Sequence, residues 1–160
     1  MSRGDLLLLV AVLAVFGVVD AAYLTWEWYA APSASFCDLN SYWSCSEVRN
    51  SPFASIGGVV PTSVIGLGGF LLLLFVAVLG LRGGERLWRW TLDAWLLLLA
   101  LAGAGIGIGL TLLEVFVIYA VCLLCLIGFL LDLGILAAAI VLYRNPEEGG
   151  TGEDGLEATT

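Results

Sequence analysis

Four apolar stretches, each long enough to cross a lipid bilayer, constrain this fold more than any other feature. They run from about Leu6 to Trp26, Val59 to Leu81, Trp90 to Leu113 and Val117 to Tyr143. A helix of about 20 residues spans the hydrocarbon core, and backbone groups in lipid must find their hydrogen bonds within the segment. With 61% hydrophobic and 12% charged residues, the chain has too few charges to cover a soluble domain. The sequence therefore predicts an all-α membrane protein, a bundle of four transmembrane helices.

The two ends of the chain differ in character. The first apolar stretch is interpreted as a retained helix, because its apolar run continues well past the roughly 7–15 residues of a signal-peptide core. After Tyr143 the sequence is acidic and rich in glycine. Such a segment buries too little apolar surface to offset the entropy of ordering it. We therefore predict a transmembrane domain over residues 1–143 and a disordered acidic tail over residues 144–160.

Arginine positions predict the orientation in the membrane. Five of the six arginines lie near the termini or in the loop of residues 82–89, and only Arg49 lies in the long loop of residues 27–58. Cytoplasmic segments carry the excess of basic residues. The sequence therefore predicts a multi-pass protein of the cell membrane with both termini cytoplasmic and the long loop between the first two helices extracytoplasmic.

Composition also excludes several function classes. The chain has no histidine, which removes bis-histidine haem, histidine-based catalytic triads and the common zinc sites that contain histidine. Its net charge of −8 argues against a nucleic-acid partner. The lipid bilayer is therefore the expected surroundings of the chain.

Four cysteines carry the chemical signal. Cys37 and Cys45 lie in the long loop, and Cys122 and Cys125 form a C-x-x-C motif near the predicted start of the fourth helix. Both pairs are predicted at the extracytoplasmic face, where disulfides persist in most cells. We expect Cys122 in or near the first two turns of that helix, where the helix dipole favours a thiolate, the nucleophile in disulfide exchange. A structural disulfide in the loop remains an alternative, and a metal site fits the spacing poorly.

Two facing dithiols predict a relay. The outer pair can exchange with a soluble protein, and the inner pair needs a two-electron carrier that is soluble in lipid, of which quinones are the common example. Four carboxylates touch the spans and are expected to face the interior: Asp20, Asp93, Glu114 and Asp132. Asp132 shares a helix face with Cys125, seven residues earlier, so a proton-handling role is the alternative to a packing role.

Three sequence segments resemble the vitamin K epoxide reductase family over about residues 15–143. AYLTWE (22–27) ends the first helix, the C-x7-C motif is followed by Ser51, and LEVFVIYAVCLLC (113–125) leads into the fourth helix. The resemblance implies a four-helix bundle around a quinone. Prokaryotic members oxidise thioredoxin-like proteins and pass the electrons to a membrane quinone such as menaquinone. It therefore implies a quinone-dependent thiol–disulfide oxidoreductase that supports disulfide formation.

The resemblance also assigns roles to the cysteines. Cys37 would meet the soluble partner, Cys45 would exchange with Cys122, and Cys125 would reduce the quinone. Ser51 matches a serine that orders the loop and the site. No length is left for a fused thioredoxin-like domain, so we expect a stand-alone protein whose redox partner is a separate chain.

The candidate quinone contacts depart from the vertebrate pattern. Phe129 stands where the vertebrate enzymes have a tyrosine, and their second-helix asparagine has no clear counterpart, although Thr62 or Ser63 could substitute. The candidate quinone-binding residues are Ser51, Thr62, Phe116 and Phe129. These departures favour quinone reduction over epoxide reduction by the reverse relay. A non-enzymatic membrane scaffold with structural disulfides remains the alternative of another class.

Overall fold

The computed structural model describes residues 2–30, 35, 37–56, 59–84, 86–87 and 90–144. Within these ranges there are five α-helices: α1 (Arg3–Ala30), α2 (Cys45–Asn50), α3 (Thr62–Leu81), α4 (Leu92–Leu113) and α5 (Leu123–Arg144). A π-helical turn, Glu114–Ile118, continues α4. Two short antiparallel pairs lie in the connections: β1 (Ser55–Ile56) with β2 (Val60–Pro61), and β3 (Arg86–Leu87) with β4 (Trp90–Thr91). The predicted acidic tail, apart from its first residue, lies outside the described residues.

Four of these helices are long and apolar enough to cross a membrane. They are α1, α3, α4 with its π-helical turn, and α5, with mean hydropathies of 2.4 to 2.8. The predicted all-α bundle of four transmembrane helices, with a long loop between the first two, is confirmed. The protein is therefore a multi-pass membrane protein.

The boundaries of the spans differ from the prediction, most of all in the fourth. Its helix begins at Leu123, not at Val117. Tyr119 has a φ of 58°, in the left-handed region that ends helices. Two residues later, Val121 pairs with Trp43 of the loop after α1. A hydropathy pattern does not detect this break, because the residues on both sides of it are apolar.

One end of the bundle, here called the packed end, holds a close-fitting apolar core. It is formed by the first turns of α1 and α4 and the last turns of α3 and α5. Leu7, Leu92, Leu96 and Leu142 are each at most 2% exposed. Arg3 on α1 pairs with Asp93 on α4 across 2.9 Å, which joins the two helix starts. The opposite end, here called the cysteine end, carries the loop and both cysteine pairs.

Candidate redox site

A backbone bridge brings the two cysteine pairs together. The loop residue Trp43 pairs in parallel with Val121, which precedes α5. The Val121 N–H donates to the Tyr42 carbonyl at 2.7 Å, and the Ser44 N–H donates to the Val121 carbonyl at 3.2 Å. Cys45 and Cys122 follow this bridge directly on their two segments. The bridge therefore sets the spacing between the outer and the inner pair.

The four cysteines form one disulfide and two free thiols, and one of the thiols contacts the disulfide. Cys37 and Cys45 are disulfide-bonded, whereas Cys122 and Cys125 are free. Cys122 Sγ lies 3.1 Å from Cys45 Sγ, and Cys37, Cys45 and Cys122 are all at most 3% exposed. A thiol in contact with a disulfide sulfur is the arrangement that disulfide exchange requires. The site can therefore move a disulfide between the two pairs without moving either segment far.

Cys122 lies directly before Leu123, the first residue of α5, and caps the helix. The Cys125 N–H donates to Cys122 Sγ at 3.3 Å, and the Leu126 N–H donates to the Cys122 carbonyl at 3.0 Å. This is the hydrogen-bond pattern of an N-cap residue, with sulfur in the place of the usual oxygen. Capping holds the two inner sulfurs on the same side of the helix start.

Glu114 organises the irregular segment before Cys122. Its side chain is buried and accepts the Cys122 N–H at 3.2 Å. Its main-chain carbonyl accepts the N–H groups of Tyr119 and Ala120. These contacts orient the turn that precedes Cys122. The buried Cys122 N–H, which has no partner within α5, is thus hydrogen-bonded.

Asp38 organises the outer loop in a similar way, and the sequence analysis missed it. Its carboxylate accepts bonds from the Ser35 N–H at 2.8 Å, the Ser44 hydroxyl at 2.9 Å, and the Ser46 N–H and hydroxyl at 3.0 and 2.5 Å. Burial raises the pKa of Asp38, but the bonds from Ser46, Ser35 and Ser44 outweigh it and hold the pKa well below its usual range. The available signal was an aspartate next to Cys37 and a serine on each side of Cys45.

A cavity of about 520 Å³ opens beside the inner cysteines. All four long helices and the loop contribute to its mostly apolar wall, and Cys45, Cys122 and Cys125 line one end. Gly66 and Gly69 of α3 lie on this wall, and a side chain added to either would meet nothing within 4 Å. The glycines thus widen the cavity rather than bring α3 against a neighbour.

Three of the four predicted quinone contacts line this cavity: Ser51, Thr62 and Phe129. Ser51 Oγ donates to the Val48 carbonyl at 2.7 Å and Thr62 Oγ donates to the Ala54 carbonyl at 3.2 Å. Both hydroxyl protons are therefore already used, and the oxygens remain available only as acceptors. Phe129 packs beside Gly107, where a side chain would collide with the ring.

Phe116 is the predicted contact that the structure does not bring to the cavity. Glu114 and Ile118, four residues apart on the π-helical turn, face the cavity. The residue between them points to the other side, and the Phe116 side chain is 66% exposed. The sequence cannot assign this direction, because the π-helical turn shifts the helical phase.

Comparison with known proteins gives one family. Residues 8–140 match the Vitamin K epoxide reductase family, and no curated protein matches the chain. The matched range includes both cysteine pairs and nearly all of the four long helices. The chain therefore belongs to the vitamin K epoxide reductase family and is a membrane oxidoreductase with a role in disulfide relay.

Proposed function

We propose that this protein oxidises a soluble thioredoxin-like protein through Cys37 and Cys45 and passes the electrons through Cys122 and Cys125 to a membrane quinone. The observation that carries this proposal is the 3.1 Å contact between Cys45 Sγ and Cys122 Sγ. The family is one that works with quinones. The proposal places the redox domain in residues 1–143, with both termini cytoplasmic, the cysteine end at the extracytoplasmic face of the cell membrane, and residues 144–160 as a disordered tail.

The first half of the relay reduces the outer disulfide. A thiolate of the soluble partner attacks Cys37 Sγ, and the Cys45 thiolate leaves. The second partner thiolate then attacks the mixed disulfide, which releases Cys37 and leaves the partner oxidised. Two electrons have moved from the partner dithiol to the outer pair. The 1% exposure of Cys37 means that the loop must open for this step.

The second half passes the electrons inward. The Cys45 thiolate attacks Cys122 in an inner Cys122–Cys125 disulfide, and the Cys125 thiolate leaves. Cys37 then attacks Cys45, which restores the outer disulfide and releases Cys122. The products are the species in the structure: an oxidised outer pair and a reduced inner pair.

The cavity fits the proposed electron acceptor. Its wall is largely apolar and Cys125 lies at its surface, so a flat apolar ring can reach the inner dithiol from within the bundle. When bound, a quinone accepts two electrons and two protons. Phe129 lines the same wall but has no hydroxyl, so the observations favour quinone reduction over epoxide reduction.

Thiol counting under anaerobic conditions tests this proposal. The reduced protein is mixed with 2,3-dimethyl-1,4-naphthoquinone. Its quinone ring carries no hydrogen, so a thiol cannot add to the ring and displace one. We expect thiols to disappear in pairs as quinol absorbance rises. Cys125→Ala should abolish quinol formation, and Ile127→Ala, a neighbour that is 41% exposed on the outer face of α5, should retain it. Persistent thiols in excess quinone, or turnover in Cys125→Ala, would contradict the proposal.

A further inference from the structure

Asp132 is a buried carboxyl group, and one of its oxygens has no hydrogen-bond partner among the described residues. Its side chain is 6% exposed, and among the described residues no group bonds to Oδ2. The residue lies in the wall of the cavity. A polar atom buried without a partner is costly, and the residue that carries this one lies in the wall of a cavity that a ligand can enter.

The position of Asp132 relates it to the inner cysteines. It follows Cys125 by seven residues on α5, two helical turns or about 10 Å along the axis. Its Oδ1 lies where a side chain on Gly103 of α4 would be, 2.7 Å from that Cβ position. The glycine thus leaves room for the carboxyl between α4 and α5. Cys125 and Asp132 therefore stand at opposite ends of one stretch of cavity wall.

A second carboxyl lies between these two ends. Asp20 of α1 points at Gly128, with Oδ2 2.9 Å from the position of a Cβ there. Gly128 precedes Asp132 by four residues, one turn on the same face of α5. Asp20 also lines the cavity. The carboxyls of α1 and α5 thus form a row that leads away from Cys125.

Few other charged groups face this row. Among the described residues that line the cavity, α3 contributes no titratable group and α4 presents Gly103 to Asp132. Glu27, Arg49, Glu114 and the cysteines lie toward the cysteine end. Since no basic residue of the wall lies beside Asp132, the uncharged acid is the form that low-dielectric surroundings favour. An uncharged carboxylic acid is a proton donor.

We infer that Asp132 donates a proton to the quinone oxygen farther from Cys125, with Asp20 returning protons from the cysteine end. This inference rests on the proposed function. A quinone has two oxygens on opposite sides of its ring, so a ring that meets Cys125 at one oxygen directs the other along the wall towards Asp132. Asp132 thereby also defines the ligand class, a ring with a second acceptor oxygen.

Atoms and electrons balance without a further reactant. Oxidation of the dithiol forms the Cys122–Cys125 bond and releases two electrons and two protons. The electrons reduce the ring, and two protons are needed at its oxygens. One thiol proton goes to the oxygen near Cys125. Asp132 supplies the other proton and regains one through Asp20 from the second thiol.

Infrared difference spectroscopy and kinetics together test this inference. In the absence of turnover, adding the dimethylated naphthoquinone to oxidised protein should shift a carboxylic-acid carbonyl band. We expect Asp132→Asn to lack that band and to reduce quinone at least ~10-fold more slowly, since a general acid typically contributes roughly 10²–10⁴-fold. Its rate should also fall more steeply with rising pH, because the proton must now come from solvent. Exchange between a soluble dithiol and Cys37–Cys45 should not change.

Asp93→Asn is the matched control, since Asp93 is a buried carboxylate on α4 paired with Arg3 outside the cavity. It should keep the band, the shift and the pH profile. Asp132→Glu should recover part of the rate, because it restores an acid. The inference is overturned if wild type reduces quinone but shows no quinone-sensitive acid band, or if Asp132→Asn matches wild type. Failure of wild type to reduce quinone would instead contradict the proposed function.

Discussion

The two ends of the helix bundle are built from the same kind of apolar sequence, but one end is closely packed and the other surrounds a cavity. At the packed end, Leu7 packs against Gly80, and Leu96 is fully buried. At the cysteine end, the same helices surround a cavity of about 520 Å³, and the backbone leaves the helical conformation at Tyr119. Apolar residues are thus enough to form spans, whereas a site needs interruptions in them: glycines, buried carboxylates and a short bridge.

The largest expected effect concerns the pairing of sulfurs at the cysteine end. A variant with Cys37→Ala and Cys125→Ala keeps only Cys45 and Cys122, whose sulfurs are 3.1 Å apart. We expect a mild oxidant to convert it completely to a Cys45–Cys122 disulfide, detected by mass spectrometry of unreduced peptides.

The matched control is the complementary variant, Cys45→Ala with Cys122→Ala. It keeps the outermost and innermost cysteines and should retain two free thiols under the same oxidant. Equal crosslinking in the two variants would mean that the order of sulfurs in the structure does not govern exchange.

A smaller effect measures the difference in packing between the ends. Leu96→Ala removes a side chain that is 0% exposed and should lower the free energy of unfolding by about 2–4 kcal/mol, because the surrounding side chains cannot fill the space. Leu110→Ala removes a residue of the same type from the cavity wall and should lower the free energy of unfolding by only about 1 kcal/mol or less, since that side chain already borders open space and its removal creates little new cavity.

Reversible unfolding in mixed detergent measures both variants. Equal losses at the two positions would remove the distinction between a close-fitting end and an open one.

The smallest effect concerns the loop at the cysteine end. Folding lowers the pKa of Asp38 because Ser46, Ser35 and Ser44 donate to its carboxylate, against the opposing effect of burial. The stabilisation is therefore complete above the unfolded pKa of about 3.9 and is lost as pH falls through the lower folded value. We expect the protection of the loop amides, after correction for the intrinsic effect of pH on exchange, to fall in that acidic window in wild type.

Asp38→Asn should exchange faster already at neutral pH and lose this pH dependence. Glu47→Gln, an exposed change in the same loop, should behave like wild type. An unchanged pH profile in Asp38→Asn would assign the stability of the loop to the disulfide alone.

The parts of the fold that follow from local pattern were predictable. The four spans follow from apolar runs, and the grouping of the cysteines in two pairs follows from their spacing. The π-helical turn and the start of α5 at Leu123 were not predictable. They depend on hydrogen bonds between residues 42–44 and residue 121, which no local window contains.

The residues of the candidate site likewise divide into those that could be predicted and those that could not. Ser51, Thr62 and Phe129 follow from resemblance and line the cavity, whereas Phe116 does not. The role of Asp38 as an acceptor for three serines depends on how the loop folds back. For a residue of the π-helical turn, the side that it faces depends on the phase of the helix, which the sequence pattern does not record.

By itself, the sequence determined that the chain crosses a membrane and carries two dithiols, because hydropathy and residue type are local properties that add along the chain. Only the tertiary structure decided that Cys122 meets Cys45, a neighbour 77 residues away in sequence, and that Asp132 lies at a cavity wall. Such contacts depend on the relative placement of separate elements. That placement is set by packing and by a few backbone hydrogen bonds, each of which needs both partners in position.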